Sequence, residues 1–145
     1  MKKLIIPVLL TLINFSFVYA KGEAISLVSI PPEGNLDITT MNYYITVLEG
    51  AFMKAGYRVL NRQEIRTYYN VDYIMSVELY TWEEGNILDT ILDSASKIRI
   101  TVRMLEPETK YSRAQGIVNG KMKDNPDKLA NKVVKDIDKV LKKIR

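Results

Sequence analysis

The sequence contains neither cysteine nor histidine among its 145 residues. Without cysteine the chain has no disulfide, no thiol nucleophile, no iron–sulfur cluster and no cysteine that could carry a lipid. Without histidine it lacks the commonest general base and the commonest metal ligand. It also has no glycine-rich phosphate loop and no Gly-x-Ser-x-Gly element. We therefore expect a protein that is not an enzyme and that uses no cofactor and no metal.

The N-terminal segment has the pattern of a secretory signal peptide. Lys2 and Lys3 precede an apolar run over 4–18, and small residues, Val18 and Ala20, stand at −3 and −1 of a cut after Ala20. The run is shorter than the roughly 20 apolar residues that span a membrane. The sequence thus predicts a signal peptide over 1–20, removed after Ala20, and a single domain over 21–145 that is exported and periplasmic.

The basic charge is concentrated at the C-terminus. The chain has 21 basic and 17 acidic residues, so its formal charge is +4. Removal of Lys2 and Lys3 leaves +2, whereas the segment 126–145 alone holds seven basic and three acidic residues, or +4. The rest of the exported chain is therefore slightly acidic. This distribution argues against a nucleic-acid partner, while the basic last segment could make weak contact with an anionic membrane surface.

The first half of the exported chain reads as strand, helix, strand. Residues 24–30 are apolar and end at a turn over 31–35 that is rich in proline and glycine. A helix is predicted over 38–55, capped by Asp37, Thr39 or Thr40, and it stops at Gly56. One face of this helix is apolar: Met41, Tyr44, Ile45, Leu48, Phe52 and Ala55. A second strand over 57–61 follows at once, which favours a parallel crossover.

The middle of the chain alternates as two long strands. The strand predicted over 71–82 has one apolar side and a second side that carries Ile74, Ser76, Glu78, Tyr80 and Trp82. The strand predicted over 97–105 points Ile98, Ile100, Val102 and Met104 inward and Lys97, Arg99, Thr101 and Arg103 outward. We expect this outward side to be solvated or covered by something acidic.

A hairpin and a helix complete the pattern. The turn 106–110 leads into a fifth strand over 112–121, in which Gly116 indicates a bulge or a close backbone approach. Asn125 and Pro126 mark the start of the last helix. Its apolar stripe is predicted to be Leu129, Val133, Ile137, Val140 and Ile144. The fold class is therefore α+β, a mixed sheet of about five strands with two long amphipathic helices, in the order β-α-β-β-β-β-α.

This order of elements resembles a group of small periplasmic domains. The segment 56–62, Gly-Tyr-Arg-Val-Leu-Asn-Arg, is similar to the strand that follows the first helix in that group, and 71–75, Val-Asp-Tyr-Ile-Met, is similar to the start of its long strand. The group contains the curli-secretion lipoproteins, the lipoprotein activators of penicillin-binding proteins, and the TolB N-terminal and flagellar accessory domains. This chain departs from the group in lacking a lipidation cysteine and in having Lys110 where glycine is common.

The resemblance implies a non-catalytic, non-lipidated domain that binds or assembles other envelope components. We therefore predict an accessory protein for envelope assembly or secretion, with an envelope or outer-membrane protein as partner and self-association as a further possibility. The alternative is a periplasmic module that binds a glycan or a small ligand, with Tyr80 and Trp82 as a stacking platform.

The residues predicted to bind a partner are aromatic or apolar, with an arginine rim. Aromatic and arginine side chains dominate binding hot spots because they bury much area for few torsions lost. The set is Tyr68, Tyr69, Tyr80, Trp82, Ile87, Leu88, Ile91, Leu92, Arg99 and Arg103. From the sequence, Tyr80 and Trp82 either pack beneath a helix or face a partner. The segment 85–96 is either a helical turn folded on the sheet or an exposed docking lip.

Overall fold

The structure is a computed structural model that describes residues 24–61, 70–83 and 96–144. Six strands and two helices occur in these ranges. In chain order they are β1 (Ser26–Ser29), β2 (Glu33–Gly34), α1 (Ile38–Lys54), β3 (Arg58–Val59), β4 (Tyr73–Glu83), β5 (Ser96–Leu105), β6 (Ser112–Lys121) and α2 (Pro126–Ile144). The predicted α+β class, the two long helices and the order of the main strands are confirmed.

The strands form one mixed sheet in the order β3-β1-β4-β5-β6. β1 pairs in parallel with both β3 and β4, as the short crossover predicts. β4, β5 and β6 form an antiparallel meander, in which Tyr80 lies opposite Arg99 and Trp82 opposite Lys97. This register places the outward-pointing residues of three strands side by side.

Both helices contribute their apolar sides to one core that lies on a single face of the sheet. The helices supply Tyr44, Leu48, Phe52, Val133 and Ile137 to this core. The strands supply the inward residues predicted from alternation, among them Val77, Leu79, Ile98, Ile100 and Val102. A smaller apolar cluster of Val28, Val71 and Ile74 lies on the other face, near the start of β4.

Local sequence sets the start of each helix. Asp37 caps α1, because its carboxylate accepts hydrogen bonds from the Thr40 amide at 2.9 Å and the Thr40 hydroxyl at 2.6 Å. These bonds hold the pKa of the Asp37 carboxyl below its usual value. Asn125 does the same for α2, accepting from the amide of Asp127 at 2.9 Å. Both N-terminal caps follow the sequence pattern.

Three details of the sequence prediction were wrong. Ala55, predicted on the apolar face of the first helix, is exposed and is the C-terminal cap of α1. Residues 31–35 were assigned to a turn, but Glu33 and Gly34 form β2, which pairs in parallel with β4. The end of the α2 stripe is Leu141, which is buried, while Val140 and Ile144 are exposed. The buried positions include the neighbours Ala130 and Val134. The contact face is therefore centred further round the helix than predicted, and Val140 lies at its margin.

The close approach predicted at Gly116 is confirmed. A Cβ on Gly116 would lie 3.0 Å from the carbonyl oxygen of Val133 and 3.1 Å from that residue's side chain, so β6 meets α2 here without a spacer. The irregularity in the β5–β6 ladder lies elsewhere, between Met104 and Leu105.

Candidate functional site

The candidate site is the side of β4, β5 and β6 that faces away from both helices, which we call the exposed sheet face. Its residues alternate with the core residues on each strand, as the two-residue period of a strand requires. They are Glu78, Tyr80 and Trp82 of β4, Lys97, Arg99, Thr101 and Arg103 of β5, and Gln115, Ile117, Asn119 and Lys121 of β6.

Tyr80 and Trp82 lie on this face and not beneath either of the two described helices, α1 and α2. The helices cover the side of β4 that carries Val77 and Leu79. Tyr80 is 46% exposed, whereas Leu79 beside it is fully buried. The structure therefore answers the question that the sequence left open, because the two aromatic rings belong to the surface of the sheet.

Arg99 lies over the indole ring of Trp82. Its guanidinium carbon is 5.4 Å from the ring centroid, within the range of a cation–π contact. Its Nε donates to the side-chain oxygen of Asn119 on β6 at 2.9 Å. Arg99 is thus held from both neighbouring strands, and little side-chain entropy remains to be lost when a partner binds.

Arg103 is held in the same way but is paired with an acid. Its guanidinium forms a salt bridge with Glu78 on β4, and its Nε donates to Gln115 on β6 at 3.3 Å. Both partners are only partly exposed, with 34% of the Arg103 side chain and 28% of the Glu78 side chain accessible. We expected an acidic group to cover the outward side of β5, and at Arg103 this group is Glu78 of the same chain.

One large apolar side chain, that of Ile117, lies near the middle of the face. Thr101 is 6% exposed because the side chains around it enclose it, and Ile117 beside it on β6 is 49% exposed. The sequence analysis did not include Ile117 among the candidate residues. The signal was present in the alternation of β6, where Val118 and Ala114 point to the core and Ile117 therefore points outward.

The face is basic overall. Lys97, Arg99, Arg103 and Lys121 carry positive charge on it, and Glu78 is its one acidic residue. Since Glu78 is engaged by Arg103, a positive field remains around the aromatic pair. The arrangement suits a surface with negative charge at its rim.

The other predicted contact residues lie outside the described residues. They are Tyr68, Tyr69, Ile87, Leu88, Ile91 and Leu92. The chain leaves β4 at Glu83 and enters β5 at Ser96, and these two residues pair with each other beside Trp82 and Lys97. The segment that carries Ile87 to Leu92 is therefore connected to the sheet at the end where Trp82 lies.

Two acidic groups outside the face, Glu106 and Asp124, have structural roles. Glu106 accepts from the Thr109 hydroxyl at 2.6 Å and pairs with Arg113, and these contacts hold the pKa of its carboxyl below the usual value. Asp124 accepts from the amide of Lys121 at 2.8 Å. In the ranges that the structure describes, no group of three or more acidic side chains is placed to hold a metal ion.

No protein-family model matches the chain, and no curated protein matches it either. Solved structures do. A PelC dodecamer from Paraburkholderia phytofirmans has a TM-score of 0.51 and 14% sequence identity, and the match covers 83% of this chain and 87% of that one. Lipoprotein GNA1162 from Neisseria meningitidis has a TM-score of 0.50 and 13% identity, covering 83% of this chain and 97% of that one.

At these identities the likeness establishes a shared fold. One of the two proteins is a lipoprotein. The particular groups named from the sequence stay a prediction. Within the described ranges, neither helix is both long enough and apolar enough to cross a membrane.

Proposed function

We propose that this protein is an exported, non-catalytic accessory protein of the cell envelope, which binds a protein partner through the exposed sheet face. Export is inferred from the signal-peptide pattern over 1–20, with removal after Ala20 and a periplasmic location for the domain over 21–145. The fold shared with a lipoprotein supports an envelope role.

The observation that carries the proposal is the arginine–tryptophan stack on the sheet face opposite α1 and α2. Trp82 and Arg99 are held by the neighbouring strand, with Tyr80 and Ile117 exposed beside them. Aromatic and arginine side chains at the centre of a patch provide most of the binding energy in typical interfaces. Because the pair is already ordered, binding costs less entropy than ordering a flexible pair would.

The charge of the face indicates the chemistry of the partner. Lys97 and Lys121 flank the stack, so we expect the partner to present acidic residues around an apolar centre. We also propose that Tyr68, Tyr69, Ile87, Leu88, Ile91 and Leu92 extend this contact surface. A second copy of the chain, an anionic membrane surface near α2, or both would be additional partners.

The test is cross-linking in cells, with mass spectrometry of the captured proteins and comparison of two single variants. Trp82→Ala removes the stacked ring from the exposed sheet face. Tyr111→Ala removes a more exposed aromatic ring, 72% accessible, from the turn after β5. We expect Trp82→Ala to reduce capture of an envelope protein by about tenfold or more, as removal of a hot-spot residue does, and Tyr111→Ala to leave capture unchanged.

Both variants are expected to fold, because both rings are outside the main core. Circular dichroism and thermal unfolding check this before capture is compared. Capture that is the same for the wild type, Trp82→Ala and the double variant Leu88→Ala/Leu92→Ala would contradict the proposal. Loss of capture in Tyr111→Ala alone would contradict the proposed interface and would indicate that the partner binds at the other end of the sheet, near the turn after β5.

A second function, binding of a glycan or small ligand, is favoured by one observation. Trp82 lines a cleft of about 420 Å³ together with Leu36, Glu83, Ser96 and Met122. Clefts of this size bind small molecules, and an indole ring stacks well on a sugar. Titration with soluble peptidoglycan fragments, followed by fluorescence of Trp82, tests this. A saturable shift in emission supports the ligand module, and an unchanged spectrum excludes these fragments as its ligand.

A further inference from the structure

A second concave surface lies on the side of the molecule that the proposed partner does not use. It is a groove of about 640 Å³ between the carboxyl ends of β1 and β3 and the outer side of α1. In sheets with parallel strands, ligands often bind at the carboxyl ends of the strands. The volume is in the range of sites that bind small ligands or a few residues of a peptide.

The walls of the groove are mostly apolar. Ile38, Ile45 and Met53 project from α1, and Ile30 and Leu60 close the opposite side. Ile38 is 59% exposed and Met53 is 55% exposed. Large apolar side chains that stay accessible along one concave stripe are typical of a binding surface and uncommon elsewhere on a folded domain.

One carboxylate lies among these apolar residues. Glu49, on α1 between Ile45 and Met53, is partly buried, and its Oε1 accepts a hydrogen bond from the buried Ser29 hydroxyl at 2.7 Å. This bond links α1 to the last residue of β1 and holds the carboxylate at the groove. Of the described residues that line the groove, Glu49 is the one charged residue.

The charge of Glu49 is not balanced within the described part of the chain. The ion pairs found among residues 24–61, 70–83 and 96–144 involve Glu78, Glu106 and Asp138, and none involves Glu49. A partly buried carboxylate gains most from a cation that replaces the water it has lost. The groove therefore combines an apolar lining with one carboxylate, that of Glu49, which a positively charged group of a ligand could pair with.

We propose that this groove binds a ligand that carries one aliphatic ammonium group at the end of an apolar chain. The apolar chain lies along Ile45 towards Ile38, and the ammonium group donates to Glu49 while Ser29 holds the carboxylate in place. A lysine side chain of a peptide and a free alkylamine share this chemistry. The site is separate from the exposed sheet face and does not depend on the function proposed for that face.

The test is a titration followed by amide chemical shifts of the ¹⁵N-labelled protein. The probes are n-hexylammonium, n-hexanol and hexanoate, which have the same chain and differ in charge. We expect hexylammonium to bind in the millimolar range, with shifts at Asn42, Ile45 and Leu60. Hexanol is expected to bind about tenfold more weakly and hexanoate to show no saturable binding, because charge-assisted hydrogen bonds are the stronger ones.

Glu49→Gln is the decisive variant, since its amide oxygen can still accept from Ser29 and the fold is kept. It should weaken hexylammonium binding by about tenfold and leave hexanol binding unchanged. The matched control is Glu108→Gln, which removes an exposed carboxylate from the turn after β5. That control should bind all three probes as the wild type does.

Three results would overturn the proposal. They are equal affinity for hexanol and hexylammonium, unchanged affinity in Glu49→Gln, and shifts that map away from the groove. A further arm separates the two sources of the ligand. Nα-acetyl-lysine N-methylamide binding as well as hexylammonium assigns the groove to a peptide lysine, and binding of hexylammonium alone assigns it to a free amine.

Discussion

Gly34 allows β2 to lie directly against β4. A Cβ at this position would be 1.8 Å from the carbonyl oxygen of Leu79, and the backbone has φ of 156°. We expect Gly34→Ala to break the pairing of Gly34 with Leu79 and to lower the free energy of unfolding by about 1–3 kcal/mol, since the clash is with backbone that cannot rotate away. Urea unfolding followed by circular dichroism measures the loss.

Gly50 gives the opposite result and serves as the comparison. It lies inside α1, and a Cβ there would meet no atom within 4 Å. Gly50→Ala should raise the free energy of unfolding by about 0.5–1 kcal/mol, because alanine loses less backbone entropy in a helix. A loss of stability in Gly50→Ala, or none in Gly34→Ala, would contradict this account of the two glycines.

For single residues, the sequence predicts the side of the sheet that a side chain faces better than it predicts the residues that contact that side chain. Alternation placed Tyr80 with Trp82 on one side of their strand and Arg99 with Arg103 on the outward side of the next, and the register of β4 with β5 brings the four to one side of the sheet. It did not show that Arg103 is neutralised by Glu78, because that pairing depends on the register between β4 and β5. Register is set by the whole sheet and by its turns, which a local pattern does not specify.

At the scale of elements, Asp138 links α2 to the strand that follows α1. Its Oδ1 accepts from the Tyr57 hydroxyl at 2.8 Å, and its Oδ2 accepts from Lys142 at 2.7 Å, one turn further along the helix. Burial raises the pKa of the Asp138 carboxyl, but the hydrogen bonds from Lys142 and Tyr57 outweigh burial, so its pKa lies below the ordinary 3.8.

This shift predicts how stability depends on pH. A carboxyl whose pKa is lower in the folded state stabilises the fold above the unfolded-state pKa, about 4. That contribution is lost as the pH falls through the folded-state pKa. We therefore expect Asp138→Asn to lower the free energy of unfolding at pH 7. As the pH is lowered from 5 to 2, the free energy of unfolding of the variant should fall less steeply than that of the wild type. Urea unfolding at several pH values measures both.

Asp136 provides the matched control on the same helix. It is exposed, and none of the described hydrogen bonds or ion pairs involves it. Asp136→Asn should reproduce the pH dependence of the wild type. If Asp136→Asn and Asp138→Asn changed the slope equally, the effect would come from the net charge of α2 and not from the contact with Tyr57.

Elements differ in how well the sequence predicts them. The five-residue turn predicted over 31–35 concealed β2, because a two-residue strand has no periodicity of its own and is defined by its pairing with β4. The 17-residue helix α1 and the 19-residue helix α2 were predicted almost to the residue at their starts. Caps such as Asp37 and Asn125 are local signals, so they survive in a single sequence.

At the scale of the whole molecule, α1 and α2 both cover the same side of the sheet. Ile117 and Val118 are neighbours on β6 that point to opposite sides, with 49% and 8% of their surfaces exposed. We expect Ile117→Lys to change the free energy of unfolding by less than about 1 kcal/mol, and Val118→Lys to lower it by about 3 kcal/mol or more, because only the second buries a charge. Thermal and urea unfolding compare the two variants directly.

Ile117→Lys also bears on the proposed interface. It adds a charge near the middle of the exposed sheet face and should reduce partner capture while the domain stays folded. Equal stability losses in Ile117→Lys and Val118→Lys would mean that both sides of the sheet are core, and the proposed interface would then be wrong.

The sequence predicts that the two helices pack on one apolar face of the sheet. Three strands alternate polar and apolar residues, and each helix has one apolar face. It does not predict the groove beside Glu49. That groove is made where α1 passes the ends of β1 and β3, and its shape depends on the distance between elements far apart in the chain. A surface formed by a single element can be predicted from the sequence, whereas a groove formed between elements cannot.

The place of β1 in the sheet has a consequence for the order in which the molecule folds. β1 is the first strand, yet both of its neighbours come later, since Leu27 pairs with Val59 and with Tyr73. The β5–β6 hairpin closes a far shorter loop, from Leu105 to Ser112, and such local contacts form sooner. A chain made from its N-terminus therefore leaves Leu27 and Val28, which are fully buried in the folded domain, uncovered until β4 has emerged.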